Sequence, residues 1–181
     1  MSKISAVVFF LFVVSVSMAQ ELKKVKVDDG SIRFKVPSSF VEMTPEDMVL
    51  RNPSIRNPIA AFSSQDRISE INIKISATEW RRSDQEIASS FFKSSILNLF
   101  DRVNMIEEGM KEIDGKKFMA FEFDSYLLSG EGGAAERKYN YVLYYIGVGR
   151  TLVFSFRCPN DQKEMYQPMM DPIFASLKIK E

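Results

Sequence analysis

Residues 137–158 read as extended strand, and neither face of the first strand in this stretch is polar. Tyr139, Tyr141, Leu143 and Tyr145 share one face by the two-residue period of a strand, and Val142, Tyr144 and Ile146 share the other. A sheet with one wet side alternates apolar with polar residues; apolar residues on both sides require cover on both. The run Leu152-Val153-Phe154-Ser155-Phe156 follows across Gly149-Arg150, close enough for antiparallel pairing. The expectation is an α+β domain whose antiparallel sheet is sandwiched between helices on both faces.

Local signals place the remaining elements. Residues 25–27 and 32–36 alternate around Asp28-Asp29-Gly30, a turn that supplies the positive φ a tight hairpin needs. Residues 59–64 and 68–77 form a second pair, with Ile71, Ile73, Ile75 and Ala77 on one face and Asn72, Lys74 and Ser76 on the other. Residues 103–113 meet 118–128 across Asp114-Gly115. Thr44-Pro45-Glu46-Asp47 opens a short helix, stopped by Asn52-Pro53 and Asn57-Pro58. Ser83 and Glu86 form a capping box ahead of a helix ending near Asp101, with Ala88, Phe92, Ile96 and Leu99 as its buried stripe. Asp161 and Glu164 repeat the capping pattern before a last helix that Pro168 and Pro172 kink or break. Residues 177–180 close as a final strand.

Lys3, the apolar run 4–16 and the small residues Ser17 and Ala19 have the order of a cleavable signal peptide. The run has 13 residues, short of the ~20 that cross a bilayer as a helix. The domain organisation read from this is a signal peptide at 1–19 and a single domain at 20–181. The protein is then exported, soluble, periplasmic or extracellular, with no membrane span after cleavage. Its only cysteine, Cys158, allows no internal disulfide, so the domain must rest on its core.

There is no histidine. That removes Ser-His-Asp and Cys-His machinery and most zinc sites. Charges balance at 24 Lys+Arg against 24 Asp+Glu, which gives no footprint for nucleic acid. No cofactor motif occurs. The reading is of a protein that is not an enzyme; an enzyme here would run on carboxylates, Lys or Tyr alone.

The aromatic strand at 141–146, the turn at Gly149-Arg150, the run 152–156, Cys158-Pro159 and the helix ending Ser176-Leu177-Lys178-Ile179 together resemble the PsbP-like superfamily. Ile32-Arg33-Phe34-Lys35-Val36-Pro37 with Phe40 is similar to that family's opening strand, and Ile113-Asp114-Gly115-Lys116-Lys117-Phe118 to its central hairpin. The resemblance implies an antiparallel sheet between helices. Family members include an extrinsic photosystem subunit, a Ran-binding import factor and exported bacterial proteins of unknown role, and their shared theme is docking to other proteins. The photosystem protein's metal-binding histidines have no counterpart here. The implied function is a non-catalytic exported module that docks onto a protein partner in the envelope or secretory space. The alternative is a periplasmic carrier of a small or apolar ligand.

Five residues are candidates for the interface. Trp80, Arg81 and Arg82 precede the capped helix, and Trp and Arg are favoured at protein interfaces. Arg51 and Arg56 repeat Arg-Asn-Pro on one stiff segment and could grip an anion. Against this, Trp80 could simply pack on the core and the Arg-Asn-Pro segment could be only a turn-rich connection. Glu122 and Asp124 share a strand face but lack a calcium-loop pattern. Cys158 reads as a buried structural thiol, because Arg157 beside it points to the opposite face. The Gly130, Gly132, Gly133 segment lacks a phosphate-loop pattern.

Overall fold

A computed structural model describes residues 21–51, 58–128 and 135–180. The signal-peptide reading, Arg56 and the Gly130–Gly133 glycines lie outside the described residues. The strands are β1 (Leu22–Val27), β2 (Ile32–Pro37), β3 (Val41–Glu42), β4 (Ala60–Ser63), β5 (Glu70–Ile75), β6 (Arg102–Ile113), β7 (Lys116–Leu127), β8 (Glu136–Ile146), β9 (Thr151–Pro159) and β10 (Lys178–Ile179). The helices are α1 (Pro45–Arg51), α2 (Gln85–Leu99) and α3 (Lys163–Ala175). Seven strands form one sheet in the order β3-β4-β5-β9-β8-β7-β6, and β1-β2-β10 form a second. Every pairing among the described strands is antiparallel.

The turns sit where their chemistry requires. Asp28, Asp29 and Gly30 take φ of 53°, 53° and 80°, and Asp114 and Gly115 take 50° and 71°. Asp tolerates this left-handed region better than most residues, and Gly enters it freely. Thr44 caps α1 by accepting the Asp47 N–H at 3.2 Å.

Strand parity divides the core of the large sheet in two. Phe118 and Ala120 of β7, Tyr139 to Tyr145 at odd positions of β8, and Phe154, Phe156 and Cys158 of β9 cluster with Tyr166, Met170, Ile173 and Phe174 of α3. Ile32, Phe34 and Val36 of β2 join the same cluster. The other parity, Met119, Phe121 and Phe123 of β7 with Ile146, clusters with Ala88, Phe92 and Ile96 of α2.

Four details differ from the sequence reading. The small sheet is separate, because β10 returns to pair with β2 and draws the first hairpin away from the large sheet. Neither capping box forms: a 3-10 turn over Arg82–Asp84 moves the start of α2 to Gln85, and the Ser83 hydroxyl bonds Asp84 at 2.8 Å instead. A second 3-10 turn over Asn160–Gln162 does the same before α3, which has no side-chain cap. Helix α3 runs unbroken through Pro168 and Pro172, held by its buried stripe, and Leu99 faces solvent at the end of α2.

Candidate functional site

Helix α2 lies over β6 and β7 and does not reach the far side of its sheet face. Between it and β5 runs an open groove of about 650 Å3, lined by Lys74 to Thr78, Phe91, Phe92, Ser95, Tyr144 and Val153. Phe92 stacks on Tyr144 with ring centres 3.8 Å apart and planes 14° from parallel, and the two form the floor. Burial pushes the Tyr144 phenol up to about 12, so it stays neutral. Phe91 stands at the lip, 42% exposed, and Ile87 one turn before it is 67% exposed. Large side chains left wet beside an apolar groove are the usual mark of an interaction surface.

Trp80 belongs to this site. Its ring centre lies 5.3 Å from Phe91 and 6.1 Å from Phe92, and its indole N–H donates to the Thr78 hydroxyl at 2.9 Å. It is half-buried against the α2 cluster, so it is at once core and rim. Arg81 is exposed beside it. Arg82 is committed to the sheet, donating to the Ile146 carbonyl at 3.4 Å and the Tyr145 hydroxyl at 3.3 Å.

Arg51 stands at the opposite end of β5, beside Glu70; the four steps from Glu70 to Lys74 span roughly 13 Å of strand. Its guanidinium donates to the Arg67 carbonyl and lies 3.7 Å from Glu70, which is 1% exposed. Glu70 also pairs with Arg157 at 2.5 Å and accepts from Asn72 at 2.6 Å. Arg51 Nη1, Glu70 Oε2 and Asn72 Oδ1 are buried and find no hydrogen-bond partner. The structure therefore does not bring Arg51 to Trp80. Sequence reasoning missed Glu70; the signal was an acid sharing the Asn72 and Lys74 face of a strand whose other face is three isoleucines.

The paired carboxylates of β7 are occupied. Glu122 accepts from the Tyr139 hydroxyl at 2.9 Å and from Gln167 at 2.6 Å. Burial and the facing Glu122 hold the Tyr139 phenol far above its ordinary range, so it is a permanent donor. Asp124 takes Lys163 at 2.9 and 2.8 Å through its two oxygens. Cys158 is fully buried on this side and burial pushes its thiol up to about 12, while Arg157 points to the other face, as its strand position requires. Among the described residues no group of three or more Cys, Asp or Glu side chains is placed to hold a metal ion.

Known structures share this architecture. The cyanobacterial PsbP (CyanoP) of Synechocystis sp. PCC 6803 superposes with a TM-score of 0.61 at 14% identity, over 92% of this chain and 96% of its own. LpqN of Mycobacterium tuberculosis, involved in cell envelope biogenesis, gives 0.58 at 11% over 89% and 91%. The Ran-binding protein Mog1p of Saccharomyces cerevisiae gives 0.53 at 15% over 87% of each. No family model and no curated protein matches the sequence. The chain has the PsbP-like fold. Likeness at this identity defines the fold, and function must be argued from the site. No helix among the described residues is long and apolar enough to cross a membrane.

Proposed function

We propose that this chain is an exported, non-catalytic module that docks onto a protein partner of the envelope or secretory space. The observation that carries the reading is the open apolar groove beside α2, with Phe91 at its lip and Trp80 packed against Phe91. Aromatic and arginine side chains around a solvent-open apolar surface are the raw material of interface hot spots. The Ran-binding function of Mog1p and the envelope role of LpqN are consistent with a fold that presents surfaces to partners. Export rests on the signal-peptide pattern of residues 1–19. We read the architecture as a sandwich, α2 on one face of the large sheet and α3 with the small sheet on the other, supported by the two parity-separated clusters.

The test is cross-linked capture of partners by the protein in its native host, read by mass spectrometry. Phe91→Asp should lose the captured partner while keeping the thermal midpoint within a few degrees; Arg51→Ala should keep it. Capture that survives Phe91→Asp removes the groove from the interface. A second reading has one observation in its favour: the groove volume falls within the ~300–1,000 Å3 of small-molecule sites. Native mass spectrometry of the purified protein with a co-purifying small ligand would shift the assignment to a carrier.

A further inference from the structure

Among the described residues Lys74 is the one charged residue lining the groove, and its surroundings are one-sided. Lys74 is exposed, and among the described residues its ammonium makes no hydrogen bond or ion pair, whereas Arg157 on the neighbouring strand of the same face is matched by Glu70 at 2.5 Å. Desolvation, and after it the like charge of Arg157, lowers the Lys74 pKa, with the distant Glu70 opposing. An anion arriving in the groove offsets the like charge of Arg157. The floor beside Lys74 is apolar and aromatic, so the occupant carries an anion and a bulky apolar group within a few ångströms of each other.

Two features favour a peptide over a free acyl chain. The groove is open along its length, and an acyl chain laid in it stays half wet, whereas a partner's polypeptide brings its own cover. The Ser95 hydroxyl lines the groove, and while it donates to the Phe91 carbonyl at 2.9 Å its oxygen can still accept a peptide N–H. Building on the docking reading, we propose that the groove takes a partner segment in which a large apolar side chain lies within two residues of an Asp or Glu. The apolar group rests on Phe91, Phe92 and Tyr144, and the carboxylate meets Lys74.

The experiment is selection of a displayed random heptapeptide library on the purified protein, on Lys74→Glu and on Phe91→Asp. The expected result is enrichment of Asp or Glu within two positions of Phe, Leu, Ile or Met on the unaltered protein. Lys74→Glu should replace the acid preference with Lys or Arg, and Phe91→Asp should abolish enrichment. The best peptide, remade with Asn for Asp, should bind the unaltered protein three- to tenfold more weakly, and bind Lys74→Gln as well as its parent does. Trp80 is the only tryptophan and sits at the rim, so its emission reads binding directly. Enrichment without an acid, an acid preference that survives Lys74→Glu, or no enrichment at all overturns the proposal. So does dodecanoate shifting Trp80 emission when no peptide is selected, which would make the groove an amphiphile site. Partner capture that depends on Phe91 without any acid preference would leave docking standing and sink only the chemistry of the occupant.

Discussion

Phe156 and Phe91 are both aromatic residues in regular elements, and they sit in opposite surroundings. Phe156, on β9, packs against Tyr139 and Tyr166 and is sealed beneath α3. Phe91, on α2, leans on Trp80 and Phe92 with nearly half its surface in water. The same division holds for polar groups. Under α3, Glu122 and Asp124 have partners for their charge, from Tyr139, Gln167 and Lys163. On the α2 side, the exposed Lys74 has none among the described residues and the Glu70 cluster keeps three buried atoms unmatched. One face matches its buried charges; the other leaves apolar and polar groups without partners among the described residues. Apolar area exposed in the folded state costs hydrophobic free energy that a partner's arrival can recover.

The contrast can be broken by measurement. The largest effect is chemical. With a thiol pKa of about 12 instead of the ordinary ~8.5, the Cys158 thiolate is scarcer at pH 8 by about three orders of magnitude, before burial is counted. Labelling by a disulfide reagent should therefore track global unfolding; fast labelling of the folded protein would show that the α3 face opens. Next, Phe156→Ala should cost about 3–5 kcal/mol in denaturant unfolding, and Phe91→Ala under about 1, because only the first leaves a sealed cavity. Equal costs would erase the distinction between the faces. Glu70→Gln should cost about 2 kcal/mol, since it strands Arg157 and Arg51, both of which still touch solvent.

The smallest effect is at the seam where the β1–β2 turn meets the β8–β9 turn. Arg150 holds Asp28 at 2.6 Å, and this hydrogen bond, then that of Ser31, lowers the Asp28 pKa. A depressed carboxylate pKa contributes stability above the unfolded value of about 3.9, lost as pH falls through the lower folded value. Both side chains are about one-third exposed, so the contribution is under about 1 kcal/mol. Arg150→Met should be slightly less stable than the parent at pH 7 and converge with it as pH falls through the lowered Asp28 value; a difference that persists once Asp28 is protonated in both states would assign the effect to packing.

What the sequence disclosed follows the range of the interactions. Asp28-Asp29-Gly30 and Asp114-Gly115 announce their hairpins because a tight turn is decided by the φ values of the residues in it. The apolar and aromatic run of β8 announced a buried antiparallel strand. The capping boxes misled because Ser83 had a nearer partner in Asp84, and the 3-10 turn that results shifts the helix start. The small sheet could not be read, since pairing Ile32 with Ile179 is a contact between opposite ends of the chain. At the groove, Trp80 was legible in the sequence as an interface candidate and Phe91 was not, because only the fold shows Phe91 left wet where α2 stops short of β5. Arg82 looked like Arg81 in the sequence; only the fold shows that one bonds the end of β8 and the other does not.

The strand order also sets a timetable. The centre of the large sheet pairs β5 with β9, and the small sheet waits for β10, whose successor Lys180 donates its N–H to the Ser31 carbonyl at 2.8 Å. Until residues near 159 are available, β5 has no neighbour on its inner edge, and until residue 179 arrives, β2 lacks its second partner. Pairings this distant carry a large loop-closure cost and slow the folding rate. A chain delivered N-terminus first, whether from a ribosome or through a narrow channel, thus completes its large sheet only after residue 157 and its small sheet only after residue 179 have emerged.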